Sequence, residues 1–296
     1  MNKHIVIIGA GEIGSSIGNL LKKKNYTVEW WDADLSRVPE QKQLSEIVPS
    51  ADVLFLCIPS WAHRAALAGC VPYLQKKTVV LTVSKGLEKD TKKTIPEVIE
   101  ESLSAGQPYG ILSGPMLAEE MDAEQFGCGV YATSFTETSS LIAELFSGTV
   151  LRIEHSSDMR GIAYAGVLKN VYALALGVVD GLSLGDNARG WIVVQALRET
   201  SEIVARLGGM PKTEVSAAML GDLVATGSSG FSRNREEGEK IAQTGVCDEK
   251  SEGCISLPSV VSLVGNTENF PLLQALERMF IHHANVRESM LNLLRT

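Results

Sequence analysis

A chain of 296 residues, 45% of them hydrophobic, exceeds the usual size of a single core, so two domains sharing one cleft are expected. Its 27 basic and 35 acidic residues give a net charge of −8 with no block of like charge, which argues against nucleic acid as a partner. The five cysteines, Cys57, Cys70, Cys128, Cys247 and Cys254, are scattered, with no two separated by only two residues. This pattern argues against a zinc knuckle or a disulfide framework and for a reducing, cytoplasmic compartment. The opening segment lacks the length and cleavage pattern of a signal peptide.

In chain order, the continuous apolar run His4–Ile8 predicts a buried parallel strand. It leads into Gly9-Ala10-Gly11-Glu12-Ile13-Gly14, then a helix through Lys24 and a second strand, Thr27–Trp31. The glycines have separate duties: a tight turn, close approach of backbone to a pyrophosphate, and close packing of helix on sheet. Asp32 follows 18 residues beyond Gly14, near where an acid meets the ribose hydroxyls of NAD and repels a 2′-phosphate. The alternative for Asp32 is an ordinary turn acid beside Asp34. No arginine adjoins it in sequence, Arg37 lying within reach of a flexible loop.

Residues 51–58 predict another strand, ending at Pro59-Ser60 where a cofactor-lining loop would fall. A helix over 63–74 and strands over 78–83 and 109–112 continue the alternation, which predicts a doubly wound parallel sheet of α/β class. Lys85 would stand at the mouth of the crevice formed by the strand ends, or serve as a solvated loop lysine. Gly114-Pro115 begins a turn feeding a helix with Glu119 and Glu120 in its first turn, a pattern that an ordinary helix start also explains. Strands over 127–131 and 150–153 flank a helix over 136–145. Beyond His155 only helical patterns remain, so residues 1–155 read as a dinucleotide-binding domain and 156–296 as an all-α substrate domain.

The segment 161–187 is almost wholly apolar or small, yet Lys169 and Asn170 sit in its middle. Those polar groups, with Asp180, argue against a membrane span and for a buried helix. Positions 162, 165, 166, 169, 173 and 176 share one face, so small residues surround the lysine. An ammonium group there needs an acidic partner or a lowered pKa, unless it snorkels to the surface. The polar cluster over 180–187 adds to the case for function. A helix over 188–207 follows, residues 221–227 interrupt the helical pattern, and Ser232-Arg233-Asn234-Arg235 enter a charged helix. Arginine, asparagine and open amides at a helix start hold phosphate, whereas Glu236, Glu237 and Glu239 offer Arg233 and Arg235 simple surface pairing.

Taken with Gly9 to Gly14, the sets Lys85-Gly86, Gly114-Pro115, Leu168-Lys169-Asn170-Val171, Asp180-Gly181, Gly221 to Thr226, Ser232 to Arg235 and Glu252-Gly253 resemble the bacterial-type glycerol-3-phosphate dehydrogenase family in order and spacing, over nearly the whole chain. The resemblance implies an oxidoreductase that interconverts dihydroxyacetone phosphate and sn-glycerol 3-phosphate and feeds glycerophospholipid synthesis. Its cofactor would be NAD, with NADP open, and it would need no metal. Lys169 then matches the general acid and base, with Lys85 and Asp222 completing the catalytic set. Lys85, Gly114, Asn170, Thr226, Arg233 and Asn234 match substrate-side positions. Gly9, Gly11, Glu12, Ile13, Gly14, Asp32, Pro59, Lys85, Ala118, Arg233 and Glu252 match cofactor-side positions. Glu12 and Ile13 stand where serine and tryptophan are usual, and Met116 where serine or threonine is usual. The implied partner is a small phosphorylated substrate, and a homodimer is left open. A lysine-dependent reductase of another small carbonyl acid and a non-catalytic nicotinamide-binding sensor are the alternatives.

Overall fold

The computed structural model describes residues 3–247 and 251–295. Seven strands, β1 (His4–Ile8), β2 (Thr27–Trp31), β3 (Val53–Leu56), β4 (Val79–Thr82), β5 (Tyr109–Ser113), β6 (Gly127–Ala132) and β7 (Leu151–Ser156), form one sheet in the order β2-β1-β3-β4-β5-β6-β7. Alternation of side chains along each strand builds two cores. Ile5, Ile7, Val53, Phe55, Val79 and Leu81 pack into one, while Val6, Ile8, Leu54, Leu56 and Val80 pack into the other. Burial on both faces is why these strands read as unbroken apolar runs.

The expectation of a parallel sheet holds from β2 to β5 and then fails. Strand β6 pairs antiparallel to β5, and β7 is parallel to β6. The cause lies in the connection. A parallel return needs a crossover, usually a substantial helix, whereas only the five-residue helix Ala118–Asp122 lies between β5 and β6. The flanking helices are α1 (Glu12–Lys23), α2 (Leu44–Ile47), α3 (His63–Cys70), α4 (Ile95–Ser102), α5 (Ala118–Asp122) and α6 (Ser139–Phe146). Helix α4 was not expected, although Thr94 and Glu97 form a capping box that marks its start in the sequence.

The second compact unit is helical: α7 (Met159–Gly181), α8 (Asp186–Arg206), α9 (Asp222–Ser228), α10 (Arg233–Thr244), α11 (Glu252–Val264), α12 (Pro271–Phe280) and α13 (Val286–Arg295). It comprises residues 164–296 together with 85–92, while 1–84 and 93–163 form the sheet unit. Lys85 therefore groups with the helices. The change of unit falls inside α7, between Ala163 and Tyr164.

Helix α7 is buried along residues 161–179, on every side rather than on one face. Among the described residues it is the one helix long and apolar enough to cross a membrane, and its apolar window is wholly buried in the protein. A β-carbon on Gly177 would lie 1.9 Å from the Arg235 carbonyl oxygen, and one on Gly238 would lie 2.0 Å from that of Leu174. These two glycines let the backbones of α7 and α10 touch. The expected interruption over 221–227 is also corrected, because a π-helical turn (Ala217–Gly221) runs directly into α9. At Gly227 a β-carbon would lie 2.3 Å from the Leu176 side chain, so this position of α9 has no room for a larger residue.

Candidate active site

Lys169 stands in the middle of α7 with 6% of its surface exposed. An unpaired ammonium there would be severely penalised, so its neighbours decide its state. Its Nζ lies 3.0 Å from Asp222 Oδ1 and donates to Thr226 Oγ1 at 2.9 Å. Asp222 and Thr226 are one helical turn apart on α9 and therefore share a face. The Thr226 hydroxyl in turn donates to Asp222 Oδ1 at 3.1 Å. The π turn before α9 adds a residue to the helical repeat, which sets the register of that face.

A second cation completes the centre. Lys85 Nζ donates to Asp222 Oδ2 at 2.5 Å, so one buried carboxylate bridges two ammonium groups, one on each oxygen. Two positive charges against one negative leave the cluster with a net positive charge in a protein whose overall sign is negative. Burial pushes the Lys169 pKa down to about 8, and Lys85 pushes it the same way, while Asp222 opposes both. Burial by itself would raise the Asp222 carboxyl, but the charges of Lys169 and Lys85 outweigh it and hold the group below its ordinary value.

Three further residues hold this centre in place. Asn170 donates to the Lys85 carbonyl oxygen at 3.0 Å, anchoring the 85–92 segment. Asn234 donates to Asn170 Oδ1 at 2.9 Å and accepts from the Gly253 amide at 2.8 Å. Asn170, Asn234 and Gly253 thus form a chain from α7 through α10 to α11, with Glu252 as the first residue of α11. Arg233 is exposed at the start of α10, where Ser232 caps the helix by accepting from the Arg235 amide.

In the sheet unit, the glycine turn sits between β1 and α1. Gly9 adopts φ +100°, and a β-carbon there would lie 2.3 Å from the Cys57 carbonyl oxygen, so only glycine fits. Gly14 packs equally closely, its missing β-carbon 2.0 Å from the Gly9 carbonyl oxygen. At Gly11, which precedes α1 with no side-chain cap, the nearest group to a β-carbon would be the Arg37 guanidinium at 3.4 Å. The uncapped first turn of a twelve-residue helix, approached over a side-chain-free glycine, fits a pyrophosphate. Asp32 is buried and accepts from the Ala10 amide at 2.7 Å and the Asp34 amide at 2.8 Å. Its carboxylate therefore braces the glycine turn. Arg37, expected within reach of a flexible loop, lies 3.6 Å from Asp32 Oδ2.

The other expected positions are placed as follows. Glu12 is exposed at the start of α1 and Ile13 is half-buried. Pro59 precedes the short 3-10 turn Ser60–Ala62, and its carbonyl faces His63 Nδ1 at 3.1 Å. Ala118 is buried at the start of α5, its carbonyl accepting from Ser16 at 3.5 Å. Gly114 has a packing reason to be glycine, since a β-carbon would lie 2.2 Å from the Cys128 carbonyl oxygen.

Asp180, the first residue of the polar cluster over 180–187, makes ion pairs between helices. It pairs with Arg189 and, at 2.7 Å, with Arg235, clamping α7 to α8 and α10. Arg235 also lies 3.4 Å from Glu239. Arg189 further donates to the Gly227 carbonyl oxygen at 2.6 Å, which steadies the end of α9.

A glycine-turn sheet unit and a helical unit built round a buried lysine of lowered pKa are the two parts of a nicotinamide-dependent dehydrogenase. The family's two sequence profiles, the N-terminus and C-terminus of NAD-dependent glycerol-3-phosphate dehydrogenase, match residues 35–139 and 158–291. Glycerol-3-phosphate dehydrogenase [NAD(P)+] of Chlorobium limicola is 32% identical, covering 98% of this chain and 97% of its own. The protein of the same name from Prosthecochloris aestuarii is 30% identical, covering 98% and 97%. The crystal structure of glycerol-3-phosphate dehydrogenase from Coxiella burnetii superposes with a TM-score of 0.90 at 26% identity, over 100% of this chain and 99% of that one. The chain belongs to the NAD-dependent glycerol-3-phosphate dehydrogenase family.

Proposed function

We propose that this protein interconverts dihydroxyacetone phosphate and sn-glycerol 3-phosphate, using NAD or NADP, and supplies glycerophospholipid synthesis in the cytoplasm. The observation that carries the reading is the buried Lys169–Asp222–Lys85 cluster. A nicotinamide, when bound, supplies the hydride in the direction of ketone reduction. Lys169 gives its proton to the oxygen that becomes an alkoxide, and takes one back in the reverse direction. A donor with a pKa of about 8 is close to the working range for such a transfer. Lys85 polarises the carbonyl and adds attraction for the anionic substrate. Asp222 keeps the two ammonium groups together and charged.

Thr226 holds the Lys169 amine in its rotamer, and Asn170 fixes the Lys85 backbone. Arg233 and Asn234 hold the phosphate, so binding energy remote from the reacting carbon orients it. Gly114 belongs to the substrate side. Gly9, Gly11, Glu12, Ile13, Gly14, Asp32, Pro59, Ala118 and Glu252, with Lys85 and Arg233, serve the cofactor.

Following NADH oxidation with dihydroxyacetone phosphate tests the activity, and binding without turnover would refute it. Lys169→Ala is expected to lower kcat by about a hundredfold or more, the usual worth of a positioned acid–base group. Retention of full activity would remove Lys169 from the mechanism.

A further inference from the structure

Helix α10 ends at Gly245, whose left-handed backbone (φ 72°) turns the chain, and α11 begins after Ser251, whose side chain accepts from the Cys254 amide. Cys247 and Cys254, seven residues apart in the chain, have their sulfurs 3.2 Å apart. Cys247 is half-buried and its thiol donates to Glu237 Oε2 at 3.4 Å, while Cys254 is only 7% exposed. Two thiolates on one tetrahedral zinc stand about 3.8 Å apart, given Zn–S bonds of about 2.3 Å. The observed pair is closer than that, and an approach of about 1.2 Å would bring it to bonding distance.

We infer that Cys247 and Cys254 form a reversible dithiol–disulfide site whose closure repositions the first turn of α11. The oxidant is hydrogen peroxide. The sulfur of the half-buried Cys247 attacks the O–O bond, taking one oxygen as a sulfenic acid, and the second oxygen leaves as water. The sulfur of Cys254 then attacks that of Cys247; the S–S bond forms, the S–O bond breaks, and hydroxide departs with the Cys254 proton as a second water. Two thiols are oxidised and one peroxide is reduced. Burial pushes the Cys254 thiol up, which leaves the first attack to Cys247.

The consequence for the site runs through Gly253, the neighbour of Cys254. Its amide is held by Asn234, and a β-carbon there would lie 2.5 Å from the Asn170 carbonyl oxygen, so this turn has little room to move without disturbing both asparagines. The kinetic effect rests on the proposed dehydrogenase reading; formation of the bond does not.

The test uses the full chain, reduced with dithiothreitol, desalted and treated with hydrogen peroxide. Peptide mass mapping is expected to find Cys247 and Cys254 linked, the pair about 2 Da lighter than when reduced. Reduction restores both thiols, and neither Cys247→Ser nor Cys254→Ser forms the link. The KM for dihydroxyacetone phosphate is expected to rise about threefold on oxidation, return on reduction, and stay constant in Cys247→Ser. Over-oxidation of Cys247 with Cys254 left as a thiol, or protection of both thiols by zinc alone that EDTA reverses, would overturn the disulfide site. A bond that forms without changing KM would overturn the coupling to α11. A reduced chain with no turnover would refute the dehydrogenase reading and leave the thiol result to stand by itself.

Discussion

At Lys169, three influences compete for one proton. Burial and the charge of Lys85 favour the neutral amine, and Asp222 favours the ammonium ion. The balance leaves the donor protonated below about pH 8, so ketone reduction is expected to fall as pH rises through that value. Asp222→Asn removes the opposing influence while nearly preserving shape. The alkaline limb of the kcat profile is then expected to move to lower pH, with circular dichroism confirming that the variant is folded. A limb that stayed in place would mean that another group controls it.

Among elements, Glu199 shows how a charge can organise a helical unit without taking part in chemistry. It is buried on α8, and its two oxygens accept from the amides of Leu272 and Leu273 at 2.7 and 3.0 Å, from Tyr172 at 3.0 Å and from Gln195 at 3.1 Å. The carboxylate thereby caps the start of α12 and ties it to α7 and α8. Glu199→Ala is expected to cost about 3–5 kcal/mol in urea unfolding, because four donors lose their acceptor. Glu199→Gln should cost less, about 2 kcal/mol, since one oxygen survives but an amide group now faces donors. Burial raises the Glu199 pKa above its unfolded value, so its contribution is fullest below the unfolded pKa and declines as pH rises through the folded one.

For the whole molecule, a single buried imidazole links folding to mild acid. His63 is 1% exposed and its ring faces the Pro59 carbonyl and, at 3.1 Å, Thr82. Burial lowers its pKa from 6.5 to about 4. Below the higher value the unfolded chain takes up a proton that the folded one refuses, so stability is lost as pH falls from 6.5 towards 4. The loss approaches about 3 kcal/mol across the window. Urea melts at about pH 7 and pH 5 should show it, and His63→Gln should flatten the difference; an unchanged slope would assign the acid sensitivity elsewhere.

Local pattern was enough to place β1, the glycine turn, β2, the long buried helix and the lysine within it. Each depends on neighbours within a few residues, and periodicity, glycine spacing and an isolated charge in an apolar run record such neighbours directly. The antiparallel course of β6 could not be read that way, because strand direction depends on how far a short helix can carry the chain. Nor could the structural work of Asp180, whose partners Arg189 and Arg235 come from two other helices. The bracing of the glycine turn by Asp32, the approach of Arg37 and the meeting of Cys247 with Cys254 likewise depend on how the chain folds back. The amino-acid sequence by itself determined which residues could carry a proton, a phosphate or a cofactor. Only the tertiary structure decided that Asp222 would stand between Lys169 and Lys85, because a pKa is set by burial and by charges a few ångströms away that lie 53 and 137 residues distant along the chain.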